Sequence, residues 1–225
     1  MCDIPPTSGP SQKTGGSRFS SVHLLVALAL LFISCPFIQE LHYARVIERL
    51  LIAVVFLSSL LAVAGRGSLV LGLLLVGAAF VGQWVGFFIP ALAPYSLLPG
   101  MAFLIFVIGR MLKYILEATD VDNETLCACL STFLMIGLLW ATGYTLLGKI
   151  NPKSFGFAAP GQTMDGFEAF YFSFVTLSTI GYGDIAPLTR VAKMLCIMEA
   201  VTGMFYVAVL VARLVSIYSS KATRK

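Results

Sequence analysis

The stretch Thr179-Ile180-Gly181-Tyr182-Gly183-Asp184 decides how this chain folds and what chemistry it can support. Its glycines stand at alternating positions, where the backbone can adopt φ values that are closed to other residues. Successive carbonyl groups can then point toward one axis, and the hydroxyl of Thr179 adds an oxygen at the inner end. A row of neutral, hard oxygen atoms suits a dehydrated alkali cation better than a transition metal. The stretch therefore predicts a narrow pore lined by main-chain oxygen atoms.

Apolar segments of two different lengths flank this stretch. Residues 166–178, before it, are too few to cross a bilayer, which takes about 20 residues. Residues 190–218, after it, are long enough. Non-helical backbone is tolerated at membrane depth only where it is buried in protein or lines a watery cavity. We therefore expect a re-entrant pore helix, then the pore-lining stretch, then a spanning inner helix.

The composition is that of an integral membrane protein. The chain has 225 residues, of which 58% are hydrophobic and 12% charged, and its mean hydropathy is +0.91. Soluble domains carry about 25% charged residues. The net charge of +4 fits basic residues at membrane edges, and we expect no nucleic-acid partner because no basic face is available. The five cysteines are an odd number and lie mostly in apolar runs, which predicts small core residues rather than disulfides.

Five further apolar segments precede the short one, so that the sequence predicts six transmembrane helices. They cover residues 24–39, 50–64, 69–89, 101–116 and 125–148. The first of them could instead be a cleaved signal peptide, and we favour a retained helix because the polar tail before it is long. The expected fold class is all-α: a four-helix N-terminal bundle, an outer helix, the re-entrant pore helix with its loop, and an inner helix.

Composition also gives the expected domain boundaries. They are a disordered cytoplasmic tail over residues 1–20, a charge-poor four-helix membrane domain over 21–117, a linker over 118–124, a pore domain over 125–218 and a cytoplasmic tail over 219–225. We expect an acidic linker helix near residues 117–124 and an exposed turret loop over residues 149–164. Nine lysines and arginines fall on the side assigned to the cytoplasm and six on the other. This bias predicts cytoplasmic termini and places the Tyr182 end of the pore outside the cell.

Residues 179–184 resemble the selectivity filter of the tetrameric potassium-channel superfamily, whose usual form is Thr-Val-Gly-Tyr-Gly-Asp. Ile180 replaces the commoner valine and leaves the carbonyl unchanged. The resemblance is strong over residues 125–218 and points to the bacterial six-span type. It implies K+ as the permeant ion, no organic cofactor, and a homotetramer whose four chains supply rings of carbonyl oxygens. The implied K+ ligands are the oxygens of Thr179, Ile180, Gly181 and Tyr182, with Gly183 shaping the outer mouth.

The resemblance also implies residues that support the filter and move the pore. The implied supporting residues are Asp184, Tyr171 and Ser178, with Tyr171 placed to bond Asp184. Some bacterial channels of the family carry a buried glutamate where this chain has Val175, so the carboxyl pair of those channels is absent. Gly203 matches the hinge glycine of the inner helix. Close packing of helices at a small residue explains Gly203 equally well.

Ionisable residues within or beside the apolar segments give further expectations. Glu199 lies inside the sixth span, where an ionisable group is costly; we expect a structural hydrogen bond behind the pore helix, with pH sensing as the alternative. Asp165 and Glu168 are spaced to cap the start of the pore helix. The fourth span offers only Arg110 and Lys113, both at its inner end. We therefore expect weak or absent voltage dependence.

Two other functions stay open at this level. The chain could be a potassium transporter subunit of the same ancestry, although such proteins need four pore repeats and this chain has one intact copy. It could also be a non-conducting regulatory subunit of a larger channel. No enzymatic motif is present, so we expect no catalysis. The expected location is a cell membrane that the chain crosses several times, most simply the bacterial inner membrane, and the gating stimulus is left open.

Overall fold

The computed structural model describes residues 20–38, 44–64, 69–89, 92–118, 122–158, 161–164 and 166–222. Over these residues the chain is mostly helical, with one short two-stranded ribbon and irregular segments between the elements. The helices are α1 (Ser20–Ile38), α2 (Ala44–Ala64), α3 (Leu69–Phe88), α4 (Leu98–Glu117), α5 (Asn123–Ile150), α6 (Gly166–Leu177) and α7 (Arg190–Ala222). The ribbon consists of β1 (Phe155–Phe157) and β2 (Ile185–Pro187), and single 3-10 turns cover Tyr95–Leu97 and Pro152–Ser154.

Apolar helices of spanning length confirm the prediction of an all-α membrane protein. Three segments of the described chain are long and apolar enough to cross a bilayer: Tyr95–Glu117, Asn123–Ile150 and Arg190–Ile217. Three apolar helices are shorter: Ser21–Phe37, Arg49–Ala62 and Val70–Gly86. The 12 residues of α6 fall well below the length that a bilayer requires. Six complete crossings and a tetramer stay predictions.

Helix α5 is the centre of the packing. On one side α5 contacts α1 and α4, which in turn pack against α2 and α3; on the other side it contacts α6 and α7. In α1, Leu24 and Leu28 are fully buried in the core that these helices share. The ring of Phe32, also on α1, lies edge-on against Phe170 and Phe174 of α6, with ring centroids 4.5 and 4.6 Å apart. The four N-terminal helices and the pore region therefore share one continuous apolar core. Retention of the first helix stays a prediction.

The link between α4 and α5 differs from the helix that the sequence led us to expect. Helix α4 ends at Glu117, and Ala118 is extended, with φ −61° and ψ 129°. Asp122 is extended as well, with φ −109° and ψ 174°, and its carboxylate accepts a hydrogen bond from the backbone N–H of Thr125 at 2.9 Å. An aspartate that caps a helix in this way lies outside it. Asp122 therefore caps the start of α5 instead of continuing a linker helix.

The expected exposed turret is instead folded onto the pore region. Strand β1 pairs antiparallel with β2, so that Gly156 lies opposite Ala186 and Phe157 opposite Ile185. Phe155 and Met164 are buried in an apolar cluster with Tyr144. Phe155 and Met164 both fall within residues 149–164, and their burial holds this segment against the protein.

Some expectations concern residues that the structure does not describe. These are the tail over residues 1–19, Asp120 of the expected acidic linker, Asp165 and residues 223–225 of the expected C-terminal tail. The capping pair of Asp165 and Glu168 stays a prediction for this reason. Helix α7 extends to Ala222, which is beyond the boundary expected for a C-terminal tail beginning at residue 219.

Candidate functional site

The backbone of residues 179–183 alternates between two conformations. Thr179, Gly181 and Gly183 have φ values of 59°, 59° and 82°, and among the described residues Thr179 is the only non-glycine with positive φ. The intervening Ile180 and Tyr182 do not share that conformation. When residues of positive φ alternate with residues of negative φ, successive carbonyl groups can lie on the same side of the chain. The left-handed conformation is costly for a residue with a side chain, so the structure maintains strain at Thr179.

The carbonyl oxygens of this segment are not used within the described chain. The main-chain hydrogen bonds of the segment run from its N–H groups: Ile180 and Gly181 donate to the carbonyl of Val175 at 3.0 and 3.4 Å. Among the described residues, no hydrogen bond is accepted by a carbonyl of residues 179–183. The side chains of Ile180 and Tyr182 are also exposed, by 55% and 68%. The segment therefore offers a row of oxygen atoms that need an external partner.

Helix α6 leads into this segment and is positioned by contacts with α5. Ser173 on α6 donates to the carbonyl of Gly137 at 2.8 Å. The ring of Phe174 covers the same glycine so closely that a Cβ there would lie 2.2 Å from its Cζ atom. Phe172 packs edge-on against Tyr144 and Phe155. Because Gly137 has no side chain, α6 and α5 can approach this closely.

The Asp184 end of the segment is supported by an aromatic residue and by the ribbon. Tyr171 donates its hydroxyl proton to Asp184 Oδ2 at 2.8 Å, which is the contact that the resemblance implied. This hydrogen bond raises the pKa of Tyr171 to about 12, so its hydroxyl stays a donor at any physiological pH. The ring of Tyr171 is nearly parallel to that of Tyr182, with centroids 6.5 Å apart. From the ribbon side, the N–H of Ala158 donates to the carbonyl of Asp184 at 2.9 Å.

The Thr179 end of the segment follows α6, and the end of α6 packs against α7. Ser178 donates to the carbonyl of Phe174 at 2.6 Å, so its hydroxyl is bonded to its own helix end. Gly203 on α7 is buried, and a Cβ at this position would lie 2.2 Å from the carbonyl oxygen of Leu177. Helix α7 continues without a break through this glycine. Close packing therefore accounts for Gly203 in this conformation, and its hinge role stays a prediction.

Glu199 is fully buried where α5, α6 and α7 meet. Its Oε1 atom lies 2.6 Å from the hydroxyl of Ser173, and its Oε2 atom lies 2.5 Å from the hydroxyl of Tyr144. The carboxyl group thus lies directly behind α6, as the sequence led us to expect. Its partners Tyr144 and Ser173 were not identified from the sequence. A tyrosine and a serine within apolar helices carry no signal that reveals which distant residue they will meet.

The inner end of α7 contacts the end of α4. Arg213 donates through Nη2 to the carbonyls of Leu116 and Ala118 at 2.9 and 3.0 Å. A few residues before it, the hydroxyl of Tyr206 donates to the carbonyl of Cys129 at 2.6 Å. Arg213 also borders an apolar cavity of about 400 Å³ between α4, α5 and α7. By contrast, the exposed side chain of Lys113 on α4 forms an ion pair with the exposed Glu117 at 3.7 Å.

Comparisons with known sequences agree with this geometry. Residues 129–220 match the family described as "Ion channel". The chain is 37% identical over 86 residues to the two-pore potassium channel 4 of Arabidopsis thaliana, covering 38% of this chain and 30% of that protein. It is 39% identical over 87 residues to the two pore potassium channel c of Oryza sativa, covering 39% and 19% respectively.

A bacterial relative extends the similarity beyond plants. The chain is 36% identical over 77 residues to the inward rectifier potassium channel Kirbac3.1 of Paramagnetospirillum magnetotacticum, covering 34% of this chain and 24% of that protein. The chain thus spans less than a third of the length of each of these relatives. In all three, the similarity covers well under half of this chain.

Proposed function

We propose that the chain, whose residues 129–220 match the family described as "Ion channel", belongs to the potassium-channel superfamily and forms a potassium-selective ion channel. The observation that carries the proposal is the alternating backbone of residues 179–183, whose positive φ values fall at Thr179, Gly181 and Gly183. This backbone directs consecutive carbonyl oxygens to one side, and those oxygens have no partner within the described chain. A dehydrated K+ ion is a partner of matching chemistry.

The same observation favours a homotetramer. One chain supplies one row of oxygens, whereas a dehydrated ion needs oxygen ligands on all sides. Closed four-fold symmetry provides a ring of four carbonyls at each level. It also covers the backbone of residues 179–183, which is exposed in a single chain and which is tolerated at membrane depth only inside protein or beside water. In the tetramer, Thr179, Ile180, Gly181 and Tyr182 bind K+, Gly183 shapes the outer mouth, and Asp184, Tyr171 and Ser178 support the filter.

Helix α6 contributes to cation binding through its direction. Its C-terminal residue, Leu177, lies next to Thr179 at the inner end of the filter. The carbonyl end of a helix carries a partial negative charge. Four such ends directed toward one axis would favour a cation just inside the filter. This orientation is consistent with cytoplasmic termini and a filter whose Tyr182 end faces outward.

We propose that voltage has little influence on opening. Among the described residues of α4, the cationic side chains are Arg110 and Lys113, and Lys113 is more than half exposed beside Glu117. Moving one charge across the membrane contributes about 2.3 kcal/mol per 100 mV, so a steep response requires several charges inside the field. Current recorded at steps of membrane potential should vary gradually. If opening instead follows a steep sigmoidal curve against membrane potential, and Arg110→Gln flattens that curve, this part of the proposal is contradicted.

Purified protein in a planar bilayer, with potassium and sodium on opposite sides, tests the main proposal. The current should reverse near the potential set by the potassium gradient. Ile180→Val retains the carbonyl and is the matched control, with an unchanged reversal potential. Cross-linking of the same preparation should end at four copies. Equal permeation of sodium, or an assembly that stops at two copies, contradicts the proposal.

A further inference from the structure

The hydroxyl of Ser173 lies between two hydrogen-bond acceptors. Its Oγ atom is 2.8 Å from the main-chain oxygen of Gly137 on α5 and 2.6 Å from Oε1 of Glu199 on α7. Ser173 is fully buried, so water does not replace either partner. A hydroxyl group has one proton to donate. It can therefore donate to Gly137 or to Glu199, and the other short contact needs a proton from elsewhere.

The remaining neighbours of Glu199 limit where that proton comes from. Gly137 offers only a carbonyl at this contact, which can accept but cannot donate. The hydroxyl of Tyr144 on α5 lies 2.5 Å from Oε2 and donates its own proton there. Cys196, one turn earlier on α7, is the other titratable group facing this cluster, and its thiol contacts Tyr144. Within the described chain no lysine, arginine or histidine bonds to the carboxyl, so no positive charge balances a carboxylate.

We propose that Glu199 is a protonated, neutral carboxylic acid whose Oε1–H donates to Ser173 and so fastens the inner helix to the pore helix. Every proton then has one acceptor: Glu199 donates to Ser173, Ser173 donates to Gly137, and Tyr144 donates to Oε2 of Glu199. A charged Glu199 would leave one of the two contacts of Ser173 without a proton. It would also bury a negative charge with no cation beside it, which is strongly unfavourable.

The chain of hydrogen bonds makes Glu199 a positioning residue for the filter, an inference that rests on the proposed function. Ser173 is on α6, the helix that leads directly into Thr179. When a base in the solvent removes the proton from Glu199, the bond from α7 to Ser173 loses its donor and the buried site gains a charge. The pore helix then loses its attachment to α7. Conduction should therefore fall as the pH rises.

Infrared spectroscopy of the purified protein in lipid tests the protonation state without requiring conduction. At neutral pH the wild-type spectrum should contain the C=O stretching band of a protonated carboxylic acid, and Glu199→Gln should remove it. Glutamine keeps one acceptor for Tyr144 and one donor for Ser173, so we expect it to fold. Glu168→Gln is the matched control, because that carboxyl bonds to Gln162 in an exposed position, where glutamate is ordinarily charged at neutral pH. It should leave the acid band unchanged.

A second variant keeps the test decisive if Glu199→Gln does not fold. Ser173→Ala removes the acceptor of the acid proton, so the acid band should move to higher frequency as its hydrogen bond is lost. If Ser173→Ala and Glu199→Gln alter only carboxylate bands, Glu199 is charged and the proposal is wrong. This result would leave the proposed potassium channel intact, because it concerns the support of the pore helix and not the filter.

Recordings at increasing pH test the functional consequence. Once the carboxyl titrates, wild-type current should fall by about tenfold per pH unit, in proportion to the protonated fraction. Glu199→Gln has no proton to lose and should conduct equally across the range. If wild type and Glu199→Gln lose current in parallel, the switch is contradicted. If neither protein conducts, the channel proposal has failed, and the infrared result still decides the protonation state.

Discussion

Gly203 on α7 lies directly against the main-chain carbonyl of Leu177, the last residue of the pore helix. A Cβ at this glycine would be 2.2 Å from the carbonyl oxygen and 3.0 Å from the Leu177 side chain. Backbone atoms cannot move aside as a flexible side chain can. The inner helix and the end of the pore helix therefore pack so closely at Gly203 that no side chain larger than hydrogen has room.

We expect Gly203→Ala to weaken the assembled protein. Forcing a methyl group into a packed contact typically costs about 1–3 kcal/mol, and here it pushes α7 away from the entrance to the filter. The midpoint of heat-induced dissociation in detergent should fall. Gly109→Ala on α4 is the control, since a Cβ there meets no atom within 4 Å and alanine favours a helix. If the Gly203→Ala variant is as stable as the wild type but opens differently, a hinge role for Gly203 is favoured over a packing role.

Gly183→Ala should abolish potassium conduction through a change of backbone alone. A Cβ at Gly183 meets no atom within 4 Å in the chain, but the residue has φ +82°. A residue with a side chain pays about 1–2 kcal/mol in the left-handed region, so the backbone should relax and turn a carbonyl away from the ion path. Flux of potassium into vesicles measures the loss. Ile180→Val is the control and should retain flux; equal flux through both variants would refute the carbonyl mechanism.

Ala158→Pro should disturb the outer mouth. Proline has no N–H, so the hydrogen bond from residue 158 to the carbonyl of Asp184 is lost. That bond and the ribbon hold the end of the filter next to Tyr171. We expect lower selectivity for potassium over sodium, measured as a shift in reversal potential. Ala158→Ser keeps the N–H and should behave as wild type. Unchanged selectivity in the Ala158→Pro variant would show that the ribbon is not needed at the mouth.

Arg213→Ala should release the inner end of α7 from α4. The guanidinium group donates to two carbonyls at the C-terminal end of α4, those of Leu116 and Ala118. Hydrogen bonds from a charged group contribute about 1.5–3 kcal/mol, and the loss should lower the thermal unfolding midpoint. Lys113→Ala removes only an exposed ion pair with Glu117, worth at most about 1 kcal/mol. Similar midpoints for the two variants would contradict a stabilising role for Arg213.

The parts of the site that the sequence revealed are those determined by local chemistry. Alternating glycines allow φ values that other residues avoid, so the positive φ at Gly181 and Gly183 could be expected from six residues. Glu199 was recognisable as an acidic residue in the middle of an apolar span. These signals do not depend on how the helices pack.

The parts that the sequence did not reveal depend on contacts between distant segments. Each strand of the ribbon has only three residues, β1 contains Gly156 and β2 ends at Pro187, so neither shows an alternating pattern. Tyr144 looks like any aromatic residue on an apolar helix. Its pairing with Glu199 spans 55 residues of sequence. Asp122 was missed for a different reason: it was expected in an acidic linker helix, but it caps α5 through a local hydrogen bond from the N–H of Thr125.

The edge-on contact of Phe32 with the rings of Phe170 and Phe174 has a mechanical consequence. It joins the first described helix to the pore helix through a single layer of aromatic rings. We therefore expect a tilt of α1, whether from bilayer thickness or lateral tension, to be transmitted through these rings to α6. In the proposed channel, this contact would let the N-terminal helices act on residues 179–183 without any gating charge.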